Sequence, residues 1–237
     1  MIIIKYLYTV YVWFFVILYF IIISSLIIIL ISFLPKYKVY NIYKILLKGI
    51  FIIMFIRVKI EYEENFDLSK NYLYMPNHVS LLDAPLMFAY TPHFINALEA
   101  KEHFSWPVYG KIIKVFGNIP VNRKNARSSY KSMLKVKTVL QENNSVLIYP
   151  EGGRTSDGML KRFKKLPFHL AKEANTTIIP VGVSGIFNIN HKGTSLFYPG
   201  TIKIKYGKIV TSEEVNKMTE IELMERVRDD IEGLVRI

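Results

Sequence analysis

A histidine and an aspartate stand five positions apart in the segment Asn-His-Val-Ser-Leu-Leu-Asp at residues 77–83. Residues five apart on a continuous helix point about 140° away from each other. We therefore expect His78 to lie on a loop from which the chain turns back to bring Asp83 to its ring. A carboxylate on one imidazole nitrogen fixes the tautomer, and the other nitrogen can then take a proton from a hydroxyl. Such a pair is the base half of a catalytic triad in which a substrate hydroxyl replaces the serine.

The same residues also suit a helix start, because Asp83 can cap a helix and Pro85 fits its first turn. Taken alone, the pair has a plain alternative: a capped helix beside an ordinary histidine. A second alternative makes Ser80 the nucleophile of a serine hydrolase. The sequence lacks the Gly-x-Ser-x-Gly motif of that class, and residues 182–185 (Gly-Val-Ser-Gly) have the wrong spacing for it.

Two further segments carry residue types that suit an anionic ligand. Residues 117–123 end a predicted strand with Arg123, whose guanidinium can fork onto a phosphate. Residues 149–156 (Tyr-Pro-Glu-Gly-Gly-Arg-Thr-Ser) follow a predicted buried strand; their glycines let the backbone approach a ligand, and exposed amides there can bind an anion or a developing oxyanion. The plain alternatives are a surface arginine and a turn with a local ion pair. The candidate residues of this loop are Glu151, Gly152, Gly153 and Arg154.

Strands and helices alternate over most of the chain. The patterns predict strands at residues 58–62, 72–75, 94–97, 118–122, 145–149, 177–183 and 201–209. They predict helices at residues 83–90, 103–115, 126–141, 166–174 and 212–235, the last capped by Ser212 and broken near residue 218. This alternation is typical of an α/β fold with a central mixed sheet flanked by helices. Sites in such sheets form from loops at strand ends, so His78, Arg123 and Glu151 are expected to converge on one edge.

The N-terminal segment is strongly apolar. Residues 6–34 form a run of 29 residues without a charge, whereas a membrane span needs about 20. This run is too long for the core of a signal peptide, and no small-residue cleavage site follows it. A second apolar run, at residues 42–56, contains Lys44 and Lys48. It fits a helix in the membrane interface, with both lysines reaching headgroups, and a re-entrant hairpin is the alternative. We predict a membrane-anchoring two-helix segment over residues 1–57 and an α/β domain over residues 58–237.

Charge is distributed unevenly along the chain. Residues 1–59 contain seven Lys/Arg and no Asp/Glu, and all of these basic residues except Lys5 follow the first apolar run. If the first apolar run spans the membrane, this bias predicts that the chain after residue 34, with the α/β domain, lies on the cytoplasmic face of the cell (inner) membrane. The basic cluster is also expected to attract anionic phospholipids. Nucleic acid is the rival partner for a chain with a net charge of +12, and the adjacent membrane segment argues against it. The sequence has no cysteine, which excludes disulfides, thiolate metal sites and a cysteine nucleophile.

Together and in this order, the motifs resemble those of the glycerolipid acyltransferase family. The family's Asn-His-x4-Asp motif is matched by Asn77, His78 and Asp83, and its Gly-x-x-aliphatic-x-x-Arg pattern by residues 117–123. Its Pro-Glu-Gly-Thr-Arg-Ser motif is matched by Pro150, Glu151, Gly152 and Arg154, and its aliphatic-Pro-Val stretch by Ile179, Pro180 and Val181. The resemblance covers residues 58–210, and the apolar N-terminus is similar to the family's membrane-anchoring helices.

Smaller matches and two departures accompany these motifs. Residues 100–102 (Ala-Lys-Glu) resemble the family's Ala-Lys-Lys-Glu-Leu segment, and residues 162–164 (Arg-Phe-Lys) resemble its Phe-Lys element. Gly153 stands where the family usually has threonine, and Thr155 where it has serine. These departures leave the identity of the acceptor open.

The resemblance implies a membrane-bound acyltransferase that moves a fatty acyl group from acyl-CoA or acyl carrier protein to the sn-2 hydroxyl of 1-acyl-sn-glycerol 3-phosphate, giving phosphatidic acid. It implies that His78 deprotonates the hydroxyl and that Asp83 orients His78. The residues implied to bind the acceptor or the oxyanion are Lys101, Arg123, Glu151, Gly152, Gly153 and Arg154. The thioester is a co-substrate, and neither a metal ion nor another cofactor is implied. The alternatives are acylation of another lysolipid (lysophosphatidylethanolamine or an amino-acid lipid) and a non-catalytic lipid-binding module.

Overall fold

The computed structural model describes residues 2–122 and 124–236. Its strands are β1 (Ile56–Tyr62), β2 (Leu73–Pro76), β3 (Ile95–Ala100), β4 (Ile119–Val121), β5 (Ser145–Leu147), β6 (Ile178–Ser184) and β7 (Gly200–Tyr206). Its helices are α1 (Ile2–Leu30), α2 (Lys36–Ile53), α3 (Asp83–Tyr90), α4 (Tyr109–Val115), α5 (Ala126–Gln141), α6 (Leu166–Glu173), α7 (Ile186–Ile189), α8 (Ser212–Lys217) and α9 (Glu220–Val235). A 3₁₀ helix, Lys101–Ser105, follows β3.

The strands form one sheet in the order β1-β7-β6-β2-β5-β3-β4. Neighbouring strands are parallel except β6 and β7, which are antiparallel. The predicted mixed sheet is therefore confirmed. The central strand β2 is buried along its whole length, as expected for a parallel strand covered by helices on both faces. The carboxyl ends of β2 and β5 lie side by side because these strands are parallel.

Two apolar cores flank the sheet. Because side chains alternate along a strand, Tyr74 of β2 faces one core, while Leu73 and Met75 face the other. The first core includes buried residues of α1, α2 and α3, and the second includes those of α5, α6, α8 and α9. This layering holds the loop after β2 between the N-terminal helices and the sheet.

Helix α1 combines a packed face with an exposed apolar face. The Tyr19 hydroxyl donates a hydrogen bond to the Leu46 carbonyl at 2.8 Å, and the Tyr8 hydroxyl donates to the Met54 carbonyl, so α1 is tied to α2 at two levels. The segment Ile3–Leu30 is long and apolar enough to cross a membrane, by length and composition. The exposed face carries large apolar side chains at helical spacing: Ile3, Leu7, Val10, Phe14, Leu18 and Ile22.

The lysines of α2 differ from each other in their contacts. Lys44 donates hydrogen bonds to the carbonyl oxygens of Thr91 and Pro92 at 2.5 and 2.9 Å. It therefore satisfies the end of α3 inside the protein, and the prediction that it reaches headgroups is wrong. Lys48 is exposed, with its ammonium 5.4 Å from the Tyr90 ring centroid. Helix α2 ends at Ile53 and β1 starts at Ile56, close to the predicted boundary at residue 58, which stays a prediction.

Other departures from the predicted elements have local causes. The predicted helix at residues 103–115 is divided into the 3₁₀ helix and α4, because Pro107 lacks a backbone N–H and Val108 has a φ of 61°. The predicted cap Ser212 is the first residue of α8. Thr211 caps that helix instead, in a reciprocal pair of hydrogen bonds with Glu214.

Candidate active site

The loop between β2 and α3 is pinned to the sheet by Asn77. The Asn77 side-chain amide donates to the Val183 carbonyl at 3.0 Å, and its carbonyl oxygen accepts from the Val183 N–H at 2.7 Å. Asn77 is buried, so its side chain pairs with the end of β6 as a strand residue would. This fixes the point at which the chain leaves the sheet, one residue before His78.

His78 and Asp83 contact each other directly. His78 Nδ1 lies 2.7 Å from Asp83 Oδ2, with the side chains 14% and 1% exposed. The Val79 and Ser80 backbone amides donate to the same carboxylate oxygen at 2.6 and 2.9 Å. Because a carboxylate accepts at Nδ1, the imidazole proton sits there and Nε2 is the basic nitrogen.

Asp83 acts on the loop before it rather than on the helix after it. Helix α3 begins at Asp83, and its N-cap, Leu82, makes no side-chain cap hydrogen bond. The prediction that Asp83 caps α3 is therefore wrong, because its carboxylate turns back to the two loop amides and the imidazole. This turn brings Asp83 to His78 despite the unfavourable spacing.

The loop after β5 holds the His78 backbone from both sides. The His78 N–H donates to Glu151 Oε1 at 2.7 Å, and the His78 carbonyl accepts from the Thr155 N–H at 2.8 Å. Glu151 Oε2 accepts from the Lys161 N–H at 2.9 Å. Glu151 is only 1% exposed, and burial raises the pKa of its carboxyl. Both Glu151 oxygens are thus used within the protein, and the observed contacts position His78.

Tyr149 supports the His78 ring. The two ring centroids are 4.0 Å apart with an interplanar angle of 20°. The Tyr149 hydroxyl is buried and has no hydrogen-bond partner among residues 2–122 and 124–236. Burial raises the pKa of that hydroxyl well above its usual range, and the charges of Asp83 and Glu99 add to the effect. Tyr149 was not predicted from the sequence, although its place directly before the Pro150–Glu151 pair was an available signal.

A second missed residue, Asn190, supports the loop from the other side. The Ser80 hydroxyl donates to Asn190 Oδ1 at 2.9 Å and accepts from the Leu82 N–H at 3.2 Å. Both Ser80 and Asn190 are buried. The Ser80 oxygen is therefore engaged in holding the loop, which leaves the serine-hydrolase alternative without support.

Asn190 also links this loop to α1. The Asn190 side-chain amide donates to the Leu196 carbonyl at 3.0 Å. The next residue, Phe197, donates its N–H to the Thr9 hydroxyl at 3.1 Å, and Trp13 donates its indole N–H to the Ser195 carbonyl at 3.0 Å. The segment 194–197 is thus a strap between the N-terminal helix and the loop that carries His78.

We expect Asn190→Ala to lower the free energy of unfolding by about 1–3 kcal/mol, because the buried Ser80 hydroxyl loses its acceptor and the partly buried Leu196 carbonyl loses a donor. We also expect the turnover number kcat to fall while KM for the substrates changes little, because Asn190 acts on the His78 loop only through Ser80. In the Ser80→Ala background the further loss of kcat should be small. Asn188→Ala is the matched control, because Asn188 is exposed on the same segment. An Asn190→Ala enzyme with wild-type kcat contradicts the positioning role.

His78 lines a cavity of about 480 Å³, and Tyr149 and Arg154 line the same cavity. Within the described part of the chain, no carboxylate forms an ion pair with Arg154. An apolar cavity of about 190 Å³ adjoins it. The two cavities share four lining residues: Phe20, Ala84, Pro85 and Tyr109. The arrangement offers a basic imidazole, an unpaired guanidinium and an apolar extension.

The other predicted ligands lie in different settings. Lys101 is exposed at the start of the 3₁₀ helix, and Arg123 lies outside the described residues. Gly152 has a φ of 69° and donates its N–H to the Tyr149 carbonyl at 3.0 Å. Its amide is therefore used within the turn, and its donation to an oxyanion stays a prediction. Gly153 lies beside Lys161, and its contact with substrate stays a prediction.

Comparison with known proteins adds a family and a fold. A family model described as Acyltransferase matches residues 57–184. A 1-acyl-sn-glycerol-3-phosphate acyltransferase of Limnanthes alba is 28% identical over 202 residues, which cover 84% of this chain and 72% of that protein. One of Borreliella burgdorferi is 32% identical over 139 residues, covering 57% and 53%. The crystal structure of the Thermotoga maritima 1-acyl-sn-glycerophosphate acyltransferase PlsC has a TM-score of 0.85 at 22% identity, covering 98% of this chain and 95% of that one.

Proposed function

Because this chain belongs to the Acyltransferase family, we propose that it is a membrane-bound 1-acyl-sn-glycerol-3-phosphate O-acyltransferase. The reaction moves a fatty acyl group from acyl-CoA or acyl carrier protein to the sn-2 hydroxyl of 1-acyl-sn-glycerol 3-phosphate and gives phosphatidic acid. The observation that carries the proposal is the His78–Asp83 pair, which opens into a cavity with an apolar extension. The names of the relatives support the same acceptor.

The proposed proton transfers centre on His78. Its Nε2 takes the proton of the acceptor hydroxyl as the oxygen attacks the thioester carbonyl carbon, and the carbonyl oxygen becomes an oxyanion. When the oxyanion collapses, the C–S bond breaks, and the departing thiolate takes the proton back from Nε2. Asp83 stabilises the imidazolium between these steps through its hydrogen bond to Nδ1. No oxidation state changes in either step, so the reaction needs no redox cofactor, and the thioester is a co-substrate.

Substrate binding follows from the two cavities. We assign the acceptor phosphate to Arg154, which lines the cavity of about 480 Å³, because a guanidinium can fork onto phosphate oxygens. Lys101 and Arg123 remain proposed phosphate ligands. We assign the acyl chain of the donor thioester to the cavity of about 190 Å³, because the walls of this cavity are almost wholly apolar.

The proposed location is the cytoplasmic face of the cell membrane. The exposed apolar face of α1 supports contact with lipid, and the seven basic residues among residues 1–59, with no acidic residue there, support attraction to anionic phospholipids. The acceptor and the product would stay in the membrane, while the thioester approaches from water.

Acyl transfer by the detergent-solubilised protein tests this function. We expect diacyl product from lysophosphatidic acid with either long-chain acyl-CoA or acyl-loaded carrier protein, and preference for lysophosphatidic acid over lysophosphatidylethanolamine in the same mixture. Preference for lysophosphatidylethanolamine supports the alternative acceptor. Binding to lipid vesicles without transfer from either donor supports the non-catalytic alternative.

We expect Ile17→Trp to shift the donor preference toward shorter acyl chains by about 2–4 carbons. Ile17 lines the apolar cavity but is 48% exposed, so a larger side chain shortens the cavity without overpacking the core. Leu18→Trp is the matched control, because Leu18 is similarly exposed on the same helix. The measurement is competition among acyl-CoA donors of 12 to about 18 carbons. An unchanged preference in Ile17→Trp contradicts the assignment of this cavity to the acyl chain.

A further inference from the structure

A second imidazole–carboxylate pair lies near the first. His103 Nδ1, on the 3₁₀ helix, is 2.9 Å from Glu99 Oε2 on β3. The other oxygen of Glu99 accepts from the Tyr109 hydroxyl at 2.8 Å. Glu99 is buried. The carboxylate is therefore held by two donors, and it orients the His103 ring as Asp83 orients that of His78.

Both imidazoles line the same cavity. Glu99, His103 and Tyr109 belong to the wall of the cavity of about 480 Å³ that contains His78 and Arg154. The His103 side chain is 32% exposed, and its ring lies against Trp106 with the centroids 4.6 Å apart. His103 Nε2 makes no hydrogen bond to any residue that the structure describes. A ligand in the cavity can therefore reach this nitrogen.

The surrounding charges favour an anionic ligand. A phosphate oxygen beside Nε2 would place an anion at each ring nitrogen of His103, since the Glu99 carboxylate lies at Nδ1. An imidazole between two anions donates from both nitrogens. Arg154 lines the same cavity and has no ion-pair partner among the described residues. Two donors from different elements of the fold can bind one phosphate.

We propose that His103 Nε2 donates a hydrogen bond to the phosphate of the acyl acceptor, opposite Arg154, with Glu99 and Tyr109 as positioning residues. This rests on the proposed function. The donor thioester also carries phosphate groups, so the experiment must separate the two sources. Lys101 lies two residues before His103 in the sequence, but it is exposed and is not among the described residues that line this cavity.

Steady-state kinetics of His103→Gln and His103→Phe test the proposal. Gln keeps a polar donor and Phe keeps the ring against Trp106, so at least one variant should fold, which melting temperature checks. We expect KM for lysophosphatidic acid to rise about 10-fold in His103→Phe and less in His103→Gln, with KM for the thioester and kcat within about 2-fold of wild type. His169→Phe is the matched control, because His169 forms its own carboxylate contact at 2.7 Å with Glu220, away from the cavity.

A readout independent of turnover is the imidazole NMR signal of His103, identified by its loss in His103→Gln. We expect this signal in the wild-type protein to move when glycerol 3-phosphate is added. If it moves although wild type does not acylate lysophosphatidic acid, the phosphate site stands and the proposed function fails. Two results overturn the inference: a signal that stays in place with unchanged KM for lysophosphatidic acid in both variants, or a rise confined to KM for the thioester.

Discussion

Replacing His78 by alanine is expected to lower kcat by about 10²–10⁴-fold, the range for losing a general acid–base group. The fold should survive, because the contacts that anchor this position use the His78 backbone N–H and carbonyl, which alanine retains. Asp83 Oδ2 keeps the two backbone amides that donate to it, so this oxygen retains two hydrogen bonds when the imidazole is removed. The measurement is diacyl product formation beside a thermal melt.

His191→Ala is a suitable control for this experiment, because His191 lines a separate cavity from His78. We expect His191→Ala to keep the wild-type rate. A His78→Ala enzyme that transfers acyl groups at the wild-type rate would show that another group removes the hydroxyl proton. His103 would then be the first candidate, since it has the same contact between Nδ1 and a carboxylate.

The second large effect is expected from Glu151→Gln. The substitution puts an amide NH2 where a carboxylate oxygen now accepts a backbone N–H, either from His78 or from Lys161. Two donors then face each other at a buried position, which costs about 1–3 kcal/mol of unfolding free energy. In either orientation the substitution disturbs the side chain that holds the His78 N–H, so we expect kcat to fall by up to about 10²-fold with little change in KM for lysophosphatidic acid.

The split between kcat and KM decides which role Glu151 has. If Glu151 binds the acceptor, as the motif resemblance implies, KM for lysophosphatidic acid should rise while kcat changes little. If Glu151 positions His78, kcat should fall while KM for lysophosphatidic acid changes little. Glu142→Gln is the matched control, since Glu142 is exposed at the end of α5, and it should leave both constants unchanged.

The sequence patterns correctly predicted those helices that are stabilised mainly by interactions between neighbouring residues. The bounds of α3 and α5 agree with the sequence patterns at both ends, because turn residues and apolar spacing mark these helices without help from distant contacts. The division of the predicted helix at residues 103–115 was missed. A proline near a helix start is normally tolerated, and no sequence pattern marks the positive φ of Val108.

The candidate site was predicted in residue type better than in contacts. The spacing of His78 and Asp83 and the loop of Glu151 were visible, but the motif did not indicate that Glu151 faces the His78 backbone. Asn190 contacts Ser80 across 110 positions of sequence, a separation that periodicity and spacing do not encode. The Glu99–His103 contact joins residues only four apart. It was not predicted, because the predicted helix begins at residue 103 and leaves Glu99 outside it.

Because of the strap at residues 194–197, the N-terminal helix α1 cannot be exchanged for another apolar helix without effect on the site. Thr9 and Trp13 hold the strap, and through Asn190 the strap holds Ser80, whose own amide binds the Asp83 carboxylate. A chimera that exchanges α1 for a foreign helix of equal length and hydrophobicity would keep the exposed apolar face but lose these contacts. Such a graft must carry the threonine and the tryptophan with it, because the helix that exposes apolar side chains on one face also supports the loop of His78 on the other.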